Sequence, residues 1–314
     1  MMPAAIRTDL IRPLLAVALA AVVTTASAAG PQAHVLESDG LRIEIEVAAD
    51  RLAAQFGPRF DRTASVRSVT VDGVELLGPW GLSDEFGLFG DGVLGYETAA
   101  VGETFLKIGV GRLVRDTPKN YQFDHPYPVV DSFPVETATG EQALTVSQRS
   151  TGEGPRQYLY RKSYEVHAGD ALTIRYELMN TGTVPWTFEH YNHHWFRLQD
   201  VPVGPGYAVA TGFDLPEADT TFRHAPRTLE MPAPLTPGGA AYYAGDLQGV
   251  TANTNTFSVR VNDAAVVRYQ ADSTPHRFAL YADADGFCPE VFVRAALEPG
   301  ETTRWSATYR FRMN

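Results

Sequence analysis

Residues 189–198, with the sequence EHYNHHWFRL, hold three of the chain's eight histidines beside a carboxylate, a phenol and an amide. If this segment is a β-strand, successive side chains point to opposite faces. One face then carries Tyr191, His193 and Trp195, and the other carries His190, Asn192 and His194. Buried imidazoles and amides each need a hydrogen-bond partner, so the cluster predicts a site of proton transfer or polar ligand binding.

The same cluster has two other interpretations. Taken singly, each residue also fits a half-buried strand side chain whose polar atoms are satisfied by neighbours. Two histidines on one face also suit a metal ion, but a metal site needs further ligands with their own partners, and the spacing indicates none. We therefore predict no metal.

A second candidate is Glu290, which lies in the apolar segment 287–292, FCPEVF. A carboxyl group in such surroundings loses solvation, which raises its pKa and suits it to proton transfer near neutral pH. The alternative is a glutamate on an edge strand that points to water.

A third stretch, residues 105–127, interleaves aromatic and basic side chains and carries His125 near its end. Its glycines, Gly109 and Gly111, lack the spacing of a phosphate-binding loop, and no helix follows them. Sugar sites use flat aromatic faces against C–H surfaces and forked cations against hydroxyl groups. A core hairpin with snorkelling basic side chains is the other interpretation.

The elements that must position these residues are β-strands. Residues 41–47 alternate strictly between apolar and polar, which is typical of a strand with one buried face. Turn residues predict hairpins around Asp72-Gly73, residues 168–170 and Asn262-Asp263, and strands at 290–296 and 302–311 flank the turn 298–301. No stretch of helical length carries a sustained apolar stripe, which excludes a parallel α/β sheet. We predict an all-β fold, a large antiparallel sandwich of about 280 residues.

Composition and charge narrow the classes of function. The chain has 314 residues, of which 44% are hydrophobic, so we expect it to fold. Its 26 Lys+Arg against 37 Asp+Glu give a formal net charge of −11, which argues against a nucleic-acid partner. A single cysteine, Cys288, excludes an internal disulfide and a cysteine-cluster zinc site.

The N-terminal segment predicts export. Arg7 and Arg12 accompany an apolar run at 14–23, and small residues follow at 24–28. This run is much shorter than the roughly 20 residues that span a bilayer, so we expect a secretory signal peptide over 1–28 rather than a membrane anchor or a buried helix. The mature chain would be a single domain, 29–314, without a membrane span, in the periplasm or exterior of a bacterium. Losing two arginines and one aspartate would bring its net charge to −12.

Three segments resemble the aldose 1-epimerase, or galactose mutarotase, family. Residues 192–198, NHHWFRL, are similar to the family's Asn-His-x-Tyr/Trp-Phe-x-Leu strand, and residues 287–290, FCPE, to the segment that bears its catalytic glutamate. Residues 297–301, LEPGE, and 307–311, ATYRF, resemble its C-terminal hairpin and closing strand. Order and approximate spacing agree over most of the mature chain.

The resemblance implies a β-supersandwich, galactose mutarotase-like fold and acid/base catalysis on a sugar, without metal or organic cofactor. His193 would be the general acid and Glu290 the general base, while Arg112 and Asp214 match the family's sugar-binding Arg and Asp. Tyr191 and Asn192 are further candidates for substrate binding. The family's early Asn-His-x-His-Gly-Gly element is missing. Residues 121–127, YQFDHPY, stand where it might fall, so His125 is its candidate substitute.

The implied activity is mutarotation, and two other functions stay open. β-Elimination on a uronate-containing glycan would use Tyr191 and His193, or His190, as base and acid, with Arg112, Asn192 or Arg197 neutralising the carboxylate. The missing element and the extra histidines favour this lyase, whereas the negative net charge opposes it because a polyanion is repelled. The third possibility is a non-catalytic carbohydrate-binding module. The expected partner is a small sugar or a glycan, and the protein a monomer or dimer.

Overall fold

The computed structural model describes residues 33–262 and 265–313. The predicted signal peptide, residues 1–28, lies outside this part of the chain and stays a prediction. Within the described part, no helix is both long enough and apolar enough to span a bilayer.

Regular structure in the described residues is almost entirely β. The exceptions are a short helix, α1 (Ala49–Phe56), and single 3-10 turns at Tyr96–Thr98 and Ala252–Thr254. The strands are β1 (His34–Ser38), β2 (Leu41–Glu46), β3 (Ser65–Val71), β4 (Val74–Glu75), β5 (Leu77–Phe86), β6 (Val93–Leu94), β7 (Thr104–Lys107), β8 (Gly111–Val114), β9 (Val129–Asp131), β10 (Val135–Thr139), β11 (Ala143–Arg149), β12 (Tyr158–His167), β13 (Ala171–Asn180), β14 (Trp186–Phe196), β15 (Tyr207–Thr211), β16 (Arg223–Ala225), β17 (Thr228–Glu230), β18 (Ala241–Asp246), β19 (Thr256–Val261), β20 (Ala265–Ala271), β21 (Arg277–Ala282), β22 (Phe287–Leu297) and β23 (Thr302–Met313).

The described strands form three antiparallel sheets. The front sheet has the order β1-β2-β3-β5-β14-β22-β21-β18, with β4 paired to β3. The back sheet has the order β10-β11-β12-β13-β23-β20-β19-β15-β17-β16, and the small sheet is β6-β7-β8-β9. This arrangement confirms the prediction of a large, antiparallel, all-β fold.

Period-two patterning explains how the two large sheets pack. On β23 the side chains of Trp305, Ala307, Tyr309 and Phe311 are buried, while the residues between them are more exposed. Burying each large apolar side chain stabilises the fold by roughly 1.5–3 kcal/mol relative to leaving it in water. The core therefore fills the space between the inner faces of the front and back sheets.

Local turn chemistry sets the predicted hairpins. Asp72 and Gly73 have φ angles of 50° and 82°, as a type I′ turn between β3 and β4 requires. Gly169 and Asp170 also have positive φ angles, 84° and 67°, in the three-residue loop 168–170 that joins β12 to β13. In the third predicted hairpin, β19 pairs with β20, although Asp263 lies outside the described residues.

Two expectations about the elements are wrong. The first is the absence of helix: in α1, Leu52 and Phe56 lie four residues apart and pack with Phe60, and Gly57 ends the helix. Eight residues are too few to show a sustained stripe. The second is the C-terminal hairpin: β22 lies in the front sheet and β23 in the back sheet. Pro299-Gly300 marks a turn, but a turn signal does not say which strands pair, and this turn carries the chain between sheets.

The core contains one buried charged cluster. The Lys162 ammonium on β12 donates to Asp61 at 2.7 Å and to Asp84 at 2.8 Å, and all three side chains are at most 1% exposed. On its other oxygen, Asp84 accepts from Tyr176 at 2.9 Å. Because unpaired buried charges are costly, this network ties β5 of the front sheet to β12 and β13 of the back sheet.

Removing the cation should destabilise the fold. In Lys162→Met, Asp61 and Asp84 lose their counterion inside the core, so we expect a loss of about 3–5 kcal/mol in the free energy of unfolding. The neighbouring Arg161, which is 48% exposed and pairs with Glu177, supplies the control, because Arg161→Met should cost only about 0–1 kcal/mol. Urea denaturation measures both. Equal losses would contradict a special role for the buried cluster.

Candidate active site

Strand β14 sends polar side chains to both of its faces, as the alternation predicts. His190, Asn192 and His194 point into the core. His190 Nε2 lies 3.1 Å from Asp84, Asn192 donates to the same carboxylate at 2.9 Å, and His194 Nε2 lies 2.9 Å from the Tyr309 hydroxyl. His190 and Asn192 therefore bond to the neighbouring strand β5, His194 bonds across to β23 of the back sheet, and Tyr191, His193 and Trp195 occupy the outer face.

The outer face brings the two predicted catalytic residues together. The ladder between β14 and β22 pairs His190 with Val293 and Phe196 with Phe287, a register that sets His193 opposite Glu290. His193 Nε2 lies 3.1 Å from Glu290 Oε1, within reach of direct proton transfer. The two side chains are only 5% and 6% exposed.

Aromatic rings surround this pair. The Trp195 ring stacks on His193 at 4.6 Å with an interplanar angle of 3°, and Phe60 meets the imidazole edge-on at 5.7 Å. Trp80 packs against Trp195 at 6.0 Å, and Tyr281 meets His193 edge-on at 6.1 Å. The pair therefore sits in a largely apolar enclosure.

Burial decides where the proton of this pair resides. Loss of solvation raises the pKa of Glu290 to about 8. Loss of solvation, together with the nearby positive charge of Arg59, lowers the pKa of His193 well below its usual 6.5. These two shifts favour an uncharged pair at neutral pH, with the proton on Glu290. The resemblance implies the other distribution, with a protonated His193 as acid and Glu290 as base, and those roles stay a prediction.

A second polar group lies beside the pair and centres on Glu85 of β5. The Glu85 carboxylate, which is fully buried, accepts from the Tyr191 hydroxyl at 2.5 Å, from Arg59 Nε at 3.0 Å and from Lys107 Nζ at 3.2 Å. Lys107 also donates to the Tyr121 hydroxyl at 2.8 Å. Burial lowers the pKa of the Lys107 ammonium, and its contact with Glu85 opposes that shift.

The other sequence-predicted residues do not reach the pair. Arg112 donates to the Thr151 carbonyl and lies over the Phe133 ring, and Asp214 forms an exposed ion pair with Arg227 at 2.6 Å. His125 Nε2 lies 2.8 Å from Asp116, although its neighbours Tyr121 and Phe123 do contact the Glu85 group through Lys107 and Arg59. Asn192 faces the core because it has the opposite strand parity to His193.

Sequence reasoning missed the residues that complete the site. Arg59 follows α1, Glu85 belongs to β5 and Lys107 to the small sheet, so no single segment shows the group. One signal was available: Asp84 and Glu85 are adjacent in the apolar strand LSDEF and are both buried, on opposite faces. Two consecutive carboxylates within an apolar strand indicate that each has a partner.

No metal site is evident in the part of the chain that the structure describes, since no three His, Cys, Asp or Glu side chains there converge to hold an ion. A polar groove of about 940 Å³ lies on the outer side of the back sheet, lined by residues such as Ser258, Arg268 and Thr308. It contains none of the predicted site residues.

Several solved structures share this architecture. The Slr1438 protein from Synechocystis sp. PCC 6803 is similar at 14% identity and a TM-score of 0.55, covering 93% of this chain and 99% of that one. A putative aldose 1-epimerase from Escherichia coli K12 is similar at 13% identity and a TM-score of 0.53, covering 90% and 99%. A galactose 1-epimerase from Lactobacillus acidophilus NCFM is similar at 13% identity and a TM-score of 0.54, covering 89% and 94%.

No protein-family model matches the chain, and no curated protein matches it either. At these identities the structural likeness establishes the fold alone. The fold is that of the aldose 1-epimerases and galactose mutarotase-like proteins, as the sequence motifs predicted.

The raised pKa of Glu290 predicts a pH-dependent stability. Between its ordinary pKa of 4.5 and about 8, the folded protein binds the Glu290 proton more tightly than the unfolded chain does. The free energy of unfolding therefore falls as pH rises through this window. The lowered pKa of His193 has the opposite effect on stability, but only at pH values below its ordinary pKa of 6.5. Glu290→Gln removes the effect, so the variant should gain stability relative to the wild type between about pH 6.5 and about pH 8.5.

Urea denaturation at the two pH values measures this gain. Glu165→Gln, which removes an exposed carboxylate on β12, controls for a change in surface charge. A difference between Glu290→Gln and the wild type that stays constant with pH would contradict a buried, protonated Glu290.

Proposed function

We propose that the protein is an isomerase of the aldose 1-epimerase type, which interconverts the anomers of a sugar. The observation that carries this proposal is the opposed, buried pair of His193 and Glu290, 3.1 Å apart, on a fold that aldose 1-epimerases share. Mutarotation needs one group to take a proton from the anomeric hydroxyl and another to protonate the ring oxygen, and this pair supplies both.

The resting protonation state assigns the first step. The neutral Glu290 donates its proton to the ring oxygen while the neutral His193 accepts the proton of the anomeric hydroxyl. The ring opens to the aldehyde, the C1–C2 bond rotates, and closure on the other face of the carbonyl returns the second anomer. Closure runs the two proton transfers in reverse, so the pair regains its starting state and nothing is consumed.

The surroundings of the pair suit this chemistry. Trp195, Phe60 and Tyr281 offer aromatic faces and edges against which the C–H surface of a sugar can pack. Arg59 and Tyr191 offer polar atoms beside them, at a site whose low polarity strengthens each hydrogen bond. Because His193 and Glu290 are 5% and 6% exposed, entry of the sugar requires these aromatic side chains to move aside.

Most residues that the sequence offered for a lyase lie away from the pair. A lyase needs a cation or amide beside its acid and base to neutralise the uronate, and of the sequence candidates Arg112 and Asn192 are directed elsewhere. Arg59 is a cation beside the pair, so the ultraviolet assay below separates the two reactions. His190 is bonded to Asp84 in the core. The test below also distinguishes a non-catalytic binding module from an enzyme. The signal peptide, the single mature domain 29–314 and a periplasmic or secreted location are part of this proposal.

Removing either member of the pair should abolish most of the activity. We expect His193→Ala and Glu290→Gln each to lower the rate of mutarotation by about 10²–10⁴-fold, the usual contribution of a positioned acid or base. Polarimetry of freshly dissolved single-anomer aldoses measures the rate. His167 and Glu165 form an exposed His–Glu pair, 3.7 Å apart, on β12 of the back sheet, so His167→Ala and Glu165→Gln are matched controls that should keep the wild-type rate.

Other outcomes distinguish the alternatives. Near-wild-type rates in both active-site variants, with the fold retained by circular dichroism, would exclude the pair as the catalytic acid and base. A wild-type protein that binds sugar without accelerating mutarotation would be a binding module. New ultraviolet absorbance with a uronate-containing polysaccharide would identify a lyase.

A further inference from the structure

The candidate site holds more positive than negative charge. Glu85 is a single carboxylate that accepts from two cations, Arg59 and Lys107. His193 and Glu290 bring no net charge, because two such groups 3.1 Å apart in a buried enclosure favour sharing one proton. The two cations therefore share one carboxylate, and an anion that reaches the partly exposed Arg59 would balance the second positive charge.

Arg59 is the cation with free donors. Of its five N–H groups, Nε donates to Glu85 at 3.0 Å and Nη2 lies 3.3 Å from the Tyr191 hydroxyl, which leaves further N–H groups without a described partner. The centroids of the Phe60 and Phe123 rings each lie 4.5 Å from the guanidinium carbon, so two aromatic rings pack against it. The side chain is 29% exposed, so part of it is open to a ligand.

Arg59 is also close to the acid/base pair. Its hydrogen-bond partner Tyr191 lies one strand repeat from His193, with the two rings 6.0 Å apart. The next residue in the chain, Phe60, touches the His193 ring. The Arg59 fork therefore lies beside the place where the anomeric carbon of a sugar would meet His193 and Glu290.

A second arginine increases the positive charge on this face. Arg277 of β21 lies opposite Phe292, and Phe292 stacks on Tyr191 at 4.5 Å. The Arg277 Nε is buried without a hydrogen-bond partner among the described residues, and its closest carboxylate contact, to Asp246, is 3.9 Å long. Two acidic side chains on this face already have neighbours that bind them. Asp283 accepts from the Tyr281 hydroxyl and from backbone N–H groups of its own loop, and Glu189 lies 3.1 Å from His276 Nε2.

We propose that the substrate is an aldose that carries a carboxylate, a hexuronic acid, and that the Arg59 fork binds this carboxylate. The inference rests on the proposed function and names its substrate class. A planar guanidinium matches a carboxylate through two parallel hydrogen bonds, which are stronger than bonds to a neutral hydroxyl. Because the whole chain carries a net charge of −11, the preference for an anion must come from this local group.

The test compares each neutral aldose with the acid of the same stereochemistry. Exchange NMR measures kcat/KM for anomer interconversion of galactose and galacturonate, and of glucose and glucuronate. We expect the wild type to prefer each uronate by about tenfold or more. In Arg59→Met this ratio should fall toward one, and in Arg59→Lys, which keeps the charge but loses the fork, it should be intermediate.

Arg304→Met is the matched control, because Arg304 Nε also donates to a glutamate, Glu177, at 2.7 Å, but on the outer face of the back sheet. It should keep the wild-type ratio. If Arg59→Met does not fold, the reduced ratio of Arg59→Lys carries the test. Conversion of the neutral aldoses with equal or greater efficiency would overturn the carboxylate inference and leave the proposed function standing.

The two proposals can fail separately. If the wild type interconverts no sugar, the proposed function fails, and calorimetric titration with galacturonate and galactose then decides the inference. Tighter binding of galacturonate that Arg59→Met removes would support the carboxylate site. Equal binding of the two sugars, or binding of neither, would overturn it.

Discussion

The register of β5 on β14 is the constraint on which the core and the candidate site both depend. It sets Asp84 opposite Asn192 and Glu85 opposite Tyr191, so two adjacent carboxylates point to opposite faces of the front sheet. Asp84 holds the buried Lys162 of the back sheet, and Glu85 organises Arg59 and Tyr191 on the outer face. A slip of one residue would exchange these faces and leave charges unpaired on both. The buried contacts of Asp84 therefore also fix the position of Glu85 on the outer face.

Much of this arrangement is predictable from local patterns. Period-two alternation separates His193 from Asn192 and His194, and turn residues such as Asp72-Gly73 mark the ends of strands, because both signals act over a few neighbouring residues. The apolar surroundings of Glu290 indicate a raised pKa for the same reason. These signals predict an all-β fold with His193 on one strand and Glu290 on another. The structure adds that the two strands are neighbours.

The parts that sequence reasoning missed depend on contacts between distant segments. Arg59, Glu85 and Lys107 meet only because the short helix α1 and the small sheet pack against the front sheet, and no spacing in the chain records that packing. The C-terminal hairpin was wrongly predicted for a related reason. Pro299-Gly300 reverses the direction of the chain whether or not the strands on either side pair with each other. His125 has a suitable side chain for catalysis, yet Asp116, nine residues away, is its partner. The residue type shows which chemistry a side chain is capable of, whereas its tertiary contacts determine whether it belongs to the site.

The apolar enclosure around His193 affects both the protonation of the acid/base pair and the binding of a sugar. Phe60 and Trp195 exclude water from His193, and that exclusion keeps the proton on Glu290 and both members of the pair uncharged. The same rings present apolar surface to a sugar ring. A sugar that enters replaces any remaining water beside the pair, so the neutral resting state is maintained when the substrate binds. Arg59 keeps its positive charge despite burial, and it shares its counterion Glu85 with Lys107. A carboxylate on the substrate would supply a second counterion without altering the proton shared by His193 and Glu290.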